Sequence, residues 1–192
     1  MDVKQMNRKM ARFYRAMQKD GVPQSQVEAI MAGADDVDKK DQEAMRDWFV
    51  GAMRRMEGLM PMERRRGIRE ACACCLTGKR DAITKGIREA YGTVDQRLDA
   101  LSKEQYVVGH SAQRLSNGDI RVRFSQSGEG FRCPCLPAEG EPLPASYCMC
   151  CGGHIRFHLE NALGVKAVCT VVSSAQMSQG KDACVFDYRI VG

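Results

Sequence analysis

Eight of the ten cysteines in this 192-residue chain lie in three short clusters. The clusters are Cys72-Ala-Cys74-Cys75, Cys133-Pro-Cys135 and Cys148-Met-Cys150-Cys151, and His154 and His158 follow the third one. Thiolates and imidazoles spaced two to four residues apart suit a tetrahedral metal site, because one turn can direct two of them at one ion. The pattern predicts a metal site more clearly than it predicts a reaction.

The predicted metal ligands come from all three clusters and from the two histidines. They are Cys72, Cys75, Cys133, Cys135, Cys148, Cys151, His154 and His158. Zinc is the expected ion because mixed thiolate and imidazole shells suit it; an iron–sulfur cluster is the alternative, because thiolates at irregular spacing also hold such clusters. No single cluster supplies four well-placed ligands, so we expect the three to converge in space. In the first cluster, the sequence leaves open whether Cys72 binds together with Cys75 or with Cys74.

The third cluster carries the most specific signal. Cys148 and Cys151 have the spacing of a zinc knuckle, and the glycines at 152–153 would let the backbone turn tightly around an ion. A helix beginning near His154 would place His154 and His158 on one face, because they are four residues apart. A ligand role for at least one histidine and a surface position without function both remain open.

The same cysteines could instead do redox or nucleophilic chemistry. The vicinal pairs at 74–75 and 150–151 could cycle between dithiol and disulfide. Cys151 could be a catalytic nucleophile paired with His154 or His158, because a helix N-terminus lowers the pKa of a thiol. No paired carboxylates, phosphate-binding glycine loop or serine elbow accompany them. A hydrolase and a thiol oxidoreductase are therefore the enzymatic alternatives to a metal-binding domain.

Composition narrows the class of protein. A chain of this length can bury a substantial core, and it has no apolar stretch long enough to span a membrane. Its first twenty residues do not resemble a signal peptide, so we expect a reducing cytoplasm, where clustered thiols more often bind metal or do redox work than form structural disulfides.

The charge pattern bears on the expected partners. The net charge is +5, and the basic run at residues 64–66, with Arg54, Arg55 and Arg69, is interpreted as a solvated helix face. It lacks interleaved aromatic residues and any known sequence motif for nucleic-acid recognition, so no nucleic-acid partner is expected. A small-molecule ligand is the expected partner, and a homodimer is an open alternative.

Apolar residues at three- and four-residue spacing predict helices throughout residues 1–104. Most of the twelve methionines lie here and are interpreted as flexible core residues. Pro61 opens a helix that is predicted to run to about Leu76, which would place the first cysteine cluster on or just past its C-terminal end.

The pattern changes at Tyr106. Strand-like runs at 106–113 and 120–125 flank Asn-Gly at 117–118, a strong hairpin signal. A loop rich in Gly and Pro at 128–144 carries the second cluster, followed by a helix at about 154–163 and a second hairpin at 165–174 and 183–191. Cys169 and Cys184 lie singly in those last strands and are expected to be core residues. The prediction is an α+β fold, with a helical region (1–104) packed on a β-β-α-β-β antiparallel domain (105–192) as one structural unit.

The C-terminal third resembles a known family pattern. Gly152-Gly153 begins a helix that ends in Leu163-Gly164, and a strand is followed by Gly180, Cys184 and Phe186. This arrangement, over about residues 106–192, resembles 4-vinyl reductase-type domains and the related L-2-amino-thiazoline-4-carboxylic acid hydrolases. Gln176 stands where that signature commonly has a further cysteine. The resemblance implies a small-molecule sensing or binding domain, sometimes cysteine-dependent, in a cysteine-rich bacterial branch.

Overall fold

The computed structural model describes residues 3, 6–124 and 131–191, and these form an α+β protein, as the sequence predicts. The helices are α1 (Arg8–Lys19), α2 (Gln24–Met31), α3 (Gln42–Leu59), α4 (Met62–Glu70), α5 (Lys79–Ala90), α6 (Val94–Ser102), α7 (Gln105–Val108) and α8 (Ala145–Leu163), with a 3₁₀-helix at Ala34–Asp36. The strands are β1 (Ser111–Arg114), β2 (Ile120–Arg123), β3 (Ala167–Ser173) and β4 (Val185–Ile190).

Capping residues explain where several helices begin. The side chain of Asn7 accepts a hydrogen bond from the backbone of Lys9 at the start of α1. Thr93 and Gln96 form a reciprocal capping box at the start of α6. The Asn7 cap fixes the first turn of α1, which borders the cysteine clusters.

Helix α4 is shorter than predicted, and this changes the setting of the first cluster. The helix ends at Glu70 rather than near Leu76, and irregular backbone follows it. Cys75 has a φ of 60°, a left-handed conformation that an α-helix does not contain and that a non-glycine residue rarely adopts. The first cluster therefore lies just past the end of α4, in the loop between α4 and α5, which is the second of the two predicted positions.

Helix α8 is longer than predicted and contains the whole third cluster. It begins after Pro144 and ends where Gly164 adopts a φ of 77°, the predicted C-cap. Gly152 and Gly153 therefore lie inside the helix, and the predicted tight turn around an ion is wrong. A Cβ atom on Gly152 would lie 2.6 Å from the sulfur of Cys169, and one on Gly153 would lie 2.9 Å from the backbone of Glu70. The two glycines allow α8 to approach the sheet and α4 closely.

The four strands form one antiparallel sheet in the order β1-β2-β4-β3. The hairpin predicted around Asn117-Gly118 is confirmed, with Gly118 at a φ of 88°. Residues 106–108, predicted as the start of the first strand, instead belong to the short helix α7. Its consecutive Val107 and Val108 are both buried, whereas an alternating strand would bury only one of them on a given face. The predicted end of the second strand, Ser125, lies outside the described residues.

Helix α8 lies between the helical region and the sheet, since it packs on α4, α5 and α6 as well as on β3. Its apolar residues Ile155, Leu159 and Ala162 are fully buried, as predicted. From β4, Tyr188 donates a hydrogen bond to the carbonyl oxygen of Gly152 at 3.0 Å. This central position lets one helix bring residues from distant parts of the chain together.

The buried residues of the helical region belong to the same hydrophobic core as those of α8 and the sheet, and in this core the predicted packing role of methionine is confirmed. Five methionines in α1 and α3 are fully buried: Met10, Met17, Met45, Met53 and Met56. Among the described residues, no helix combines the length and the apolar character needed to cross a membrane.

Candidate thiol site

Cysteines from all three clusters line one cavity of about 300 Å³. Cys72 and Cys74 come from the first cluster, Cys135 from the second and Cys150 from the third. The rest of the wall comes from α1 with its N-cap and from α3, α4 and α8, and consists of Asn7, Arg8, Lys9, Arg12, Phe49, Arg69 and Tyr147. The three clusters therefore meet at a common space, although they are far apart in the sequence.

Hydrogen bonds connect four of the thiols. Cys135 contacts Cys133 in its own loop and Cys151 on α8, and Cys151 in turn contacts Cys150. The contacts follow the order Cys133–Cys135–Cys151–Cys150. The ammonium group of Lys9 donates a hydrogen bond to the carbonyl oxygen of Cys135, which attaches this loop to α1.

These contacts make Cys135 a thiolate at neutral pH. Hydrogen bonds from Cys133 and Cys151 lower the pKa of Cys135 to about 3, against the effect of burial and with further help from the charges of Lys9 and Arg69. The hydrogen bond to Cys135, together with burial, raises the pKa of Cys133. The pKa of Cys151 is likewise raised by its hydrogen bonds to Cys135 and Cys150 and by burial. Cys133 and Cys151 are therefore the proton donors of the group.

Cys150 competes for the same proton. Its hydrogen bond with Cys151 lowers the pKa of Cys150 to about 7, against the effect of burial and with help from Arg69. A thiol has a single proton, so Cys151 can donate to Cys135 or to Cys150 but not to both at once. We assign the persistent thiolate to Cys135, because Cys133 provides it with a second donor.

Arg69 places a buried positive charge beside these sulfurs. The residue is 3 % exposed, and its guanidinium lies 5.1 Å from the ring centroid of Phe13 and 5.0 Å from that of Tyr147. Burial lowers the pKa of Arg69, but the nearby cysteines, led by Cys72 and Cys150, outweigh it, so the pKa is raised overall. The neighbouring Glu70 pairs with Arg156 at 2.7 Å instead.

The interpretation of Arg69 as part of a solvated basic face is therefore wrong. Helix α4 turns this side chain inward, where it donates a hydrogen bond to the carbonyl oxygen of Tyr147 at 2.9 Å. Among the described residues, no carboxylate pairs with it. A buried cation is stable only with compensating negative charge, and the Cys135 thiolate, whose pKa the charge of Arg69 helps to lower, is the group placed to supply it.

Both predicted histidines hold the backbone of the first cluster. His154 Nδ1 lies 2.7 Å from the carbonyl oxygen of Cys74, and His158 Nε2 lies 3.0 Å from that of Cys75. Because a carbonyl oxygen only accepts, each of these nitrogens carries a proton. Burial, followed by the proximity of His158, lowers the pKa of His154 to about 4, and burial lowers the pKa of His158. Neither imidazole hydrogen-bonds a cysteine sulfur in the described part of the chain.

The other predicted ligands have separate surroundings. The thiol of Cys148 is buried and lies 3.1 Å from the hydroxyl of Ser174; burial raises its pKa to about 12. The thiol of Cys72 lies 3.3 Å from the carbonyl oxygen of Ile68, and burial raises its pKa. Cys75 is exposed.

Of the eight predicted ligands, the structure brings Cys133, Cys135 and Cys151 into side-chain contact as one group, and His154 and His158 as a separate pair with ring centroids 4.8 Å apart. The three cysteines are joined in a row, and no group of three or more Cys, His, Asp or Glu side chains within the described ranges is arranged as a metal shell. Zinc and iron–sulfur binding stay predictions.

Lys9, Arg12 and Arg69 are site residues that the sequence patterns did not reveal. Their basic side chains lie on helices whose residue spacing indicates only an apolar face, so nothing in the local pattern distinguishes them from surface residues.

No family model, curated protein or solved structure matches the chain, so the function is inferred from the side chains of this site.

Proposed function

We propose that this protein is a thiol–disulfide oxidoreductase in which Cys135 is the attacking thiolate and Cys151 the resolving thiol. One observation carries the proposal: Cys135 shares a hydrogen bond with Cys151, from a separate element, and lines an open cavity. A thiolate that faces substrate, with a second thiol in contact behind it, is the minimum requirement for two-step exchange.

The proposed exchange proceeds in two substitutions. The Cys135 thiolate attacks one sulfur of a disulfide substrate; the substrate S–S bond breaks, and one half leaves as a thiolate that takes a proton from water. Cys151 then loses its proton to solvent and attacks the sulfur of Cys135, which releases the second half of the substrate. The substrate gains two electrons and two protons, and the cysteine pair becomes a Cys135–Cys151 disulfide. A dithiol reductant reverses the same steps.

The surroundings of Cys135 favour its reduced form. Hydrogen bonds from two thiols and the charges of Lys9 and Arg69 stabilise a thiolate, and all of this stabilisation is lost when the sulfur enters a disulfide. A low-pKa thiolate is also a good leaving group. The Cys135–Cys151 disulfide is therefore expected to be an oxidising one.

Trapping experiments test the assignment. With excess 2-hydroxyethyl disulfide, the Cys151→Ser variant should accumulate a mixed disulfide on Cys135, located by peptide mass spectrometry, whereas the wild type should contain a Cys135–Cys151 link. Cys75→Ser, which removes an exposed thiol outside the hydrogen-bonded row, is the matched control and should behave as the wild type. If the mixed disulfide forms elsewhere in Cys151→Ser, or the wild type lacks the link, the assignment is wrong.

Zinc binding for small-molecule recognition is the second candidate. It is favoured by the contact of Cys135 with both Cys133 and Cys151, which provides adjacent sulfur donors. Metal analysis of protein purified without an affinity tag separates the two functions. About one zinc per chain, released by alkylation of Cys135, would make these sulfurs ligands and would overturn the redox proposal. A brown protein would indicate an iron–sulfur cluster.

The described geometry gives less support to a cysteine hydrolase. Such an enzyme needs a thiol activated by a nearby base. Here the protonated nitrogens of His154 and His158 are bound to backbone carbonyls, and the pKa of Cys151 is raised by its hydrogen bonds.

A further inference from the structure

We propose that the cavity selects small disulfides that carry a carboxylate or a similar anionic group, with the anion held by Arg69, Arg12 and Lys9 while the sulfur reaches Cys135. The sulfur chemistry rests on the proposed oxidoreductase function. The anion site rests on separate observations. They concern the charge of the cavity wall, an unsatisfied hydrogen-bond donor, the position of the basic residues on α1 and the size of the cavity.

The first observation is the charge of the wall. Arg8, Lys9, Arg12 and Arg69 line the cavity, and none of the described aspartates or glutamates does. None of these four side chains forms an ion pair with a carboxylate in the described part of the chain. The single persistent thiolate offsets one of the positive charges, so the cavity retains an excess of positive charge that attracts anions.

The second observation is an unsatisfied donor. Arg69 is 3 % exposed, and its Nε is buried without a hydrogen-bond partner among the described residues. A buried donor without an acceptor is costly and rare in native structures, and it indicates a missing partner. A carboxylate in the cavity would supply an acceptor, and arginine is well suited to it because the guanidinium can bind both oxygens.

The third observation is the position of the basic residues on α1. Arg8 and Lys9 lie in the first turn, which has no acidic residue. The positive end of the helix dipole disfavours cations there, so these residues do not serve the stability of the helix. Arg12 follows one turn later and donates a hydrogen bond at 3.4 Å to the carbonyl oxygen of Cys72. Together, these residues place positive charge at the rim of the cavity.

The size of the cavity limits the ligand. Its volume of about 300 Å³ lies at the lower end of the range for ligand pockets. This space suits a small metabolite better than a folded protein substrate. The disulfide sulfur must also lie close to Cys135, which shares the wall with Arg69.

Three synthetic disulfides that differ in charge provide the test. In 3,3′-dithiodipropionate, 2-hydroxyethyl disulfide and cystamine, two methylenes separate each sulfur from a carboxylate, a hydroxyl and an ammonium group. Each rate of oxidation of the wild-type dithiol is divided by the rate of the same disulfide with dithiothreitol, which removes differences in leaving-group reactivity. We expect the anionic compound to react at least about tenfold faster than the neutral one, the cationic compound to be slowest, and added salt to reduce the difference.

A matched pair of variants assigns the preference to the cavity. Arg12→Gln should lose most of the preference for the anionic disulfide, whereas Arg15→Gln should retain it. Arg15 lies on the same helix but is exposed to solvent, so both variants remove the same charge. An equal loss in both variants, or equal normalised rates for all three disulfides, would overturn the proposal. Arg12 and Arg15 are preferred to Arg69 because removing a buried arginine could unfold the protein.

A non-reactive ligand separates this inference from the proposed function. Suberate has the shape of 3,3′-dithiodipropionate with two methylenes in place of the sulfurs. Calorimetric binding of suberate to the wild type, weakened in Arg12→Gln but not in Arg15→Gln, would support the anion site even if no disulfide exchange occurred. Exchange without suberate binding and without charge preference would leave the oxidoreductase function standing and reject the anion site.

Discussion

His154 Nδ1 donates a hydrogen bond to the carbonyl oxygen of Cys74 at 2.7 Å, which joins helix α8 to the loop that carries the first cysteine cluster. His158, one turn later, makes the equivalent bond to Cys75 at 3.0 Å. The left-handed conformation of Cys75 lies within this bonded segment. The two imidazoles therefore position the backbone of the first cluster at the wall of the cavity rather than take part in the proposed exchange.

The buried imidazole of His154 makes stability depend on pH. Its pKa is about 4 in the folded protein, because of burial and then the proximity of His158, and about 6.5 in the unfolded chain. Between these values the unfolded chain binds more protons, so the free energy of unfolding falls as the pH falls through this window. From pH 7 to pH 5 we expect His154 to account for a loss of about 2 kcal/mol, measured by urea denaturation.

His154→Asn is the control for this pH dependence. The asparagine amide can donate to the carbonyl oxygen of Cys74 but does not titrate. The variant should lose less stability than the wild type between pH 7 and pH 5. An identical loss in both proteins would show that His154 is not the group responsible.

The glycines of α8 should tolerate a methyl group differently. Gly153→Ala places a Cβ against the backbone of Glu70, so α8 and α4 must separate, and we expect a loss of about 1–3 kcal/mol by chemical denaturation. In Gly152→Ala the new Cβ instead meets the sulfur of Cys169, which is a side-chain atom. Adding Cys169→Ala should therefore recover part of the stability lost in Gly152→Ala, but none of the stability lost in Gly153→Ala.

A helical glycine with open surroundings provides the reference. No atom of the described residues lies within 4 Å of a Cβ placed on Gly86 of α5, so Gly86→Ala should stabilise the protein by about 0.4–1 kcal/mol. Destabilisation at Gly86 similar to that at Gly153 would mean that helix packing is not the cause.

Helix and strand types were more predictable than their boundaries. The hairpin at Asn117-Gly118 and the C-cap at Gly164 were predictable because they depend on local backbone preferences of these residue types. The early end of α4 and the early start of α8 depend on tertiary contacts, including the hydrogen bonds to the first cluster and the packing of Gly153 on Glu70. Periodicity contains no information about such contacts.

The candidate site was predictable in its cysteines but not in its cations. Cluster spacing singles out Cys135 and Cys151, yet their mutual contact arises only because the loop and α8 fold against each other. Arg69 is indistinguishable in sequence from the partly buried arginines that precede it at 64–66. Its burial follows from the orientation of α4 against the rings of Phe13 and Tyr147.

Cys133 should tune the redox potential of the proposed Cys135–Cys151 pair. Cys133→Ala removes a hydrogen bond to the Cys135 thiolate and so destabilises the reduced form. A hydrogen bond to a charged group contributes about 1.5–3 kcal/mol, so the potential should become more negative by roughly 30–60 mV in a glutathione redox titration. Cys133→Ser retains a donor and should shift the potential less. Equal shifts in the two variants would show that the lost hydrogen bond is not the cause.

Cys148 distinguishes the metal-binding prediction from the redox proposal. If Cys148 and Cys151 form a zinc site, as their spacing predicts, Cys148→Ser should release the metal and destabilise the protein together. In the structure, the Cys148 thiol instead lies on a buried face of α8, 3.1 Å from the hydroxyl of Ser174.

We therefore expect Cys148→Ser to have the same metal content as the wild type and to form the Cys135–Cys151 link normally. Its stability should fall by about 1 kcal/mol, since a serine hydroxyl can keep the hydrogen bond but packs less well. Metal analysis and peptide mapping of the same preparation check both parts, and loss of bound zinc in Cys148→Ser would favour the metal site over the redox pair.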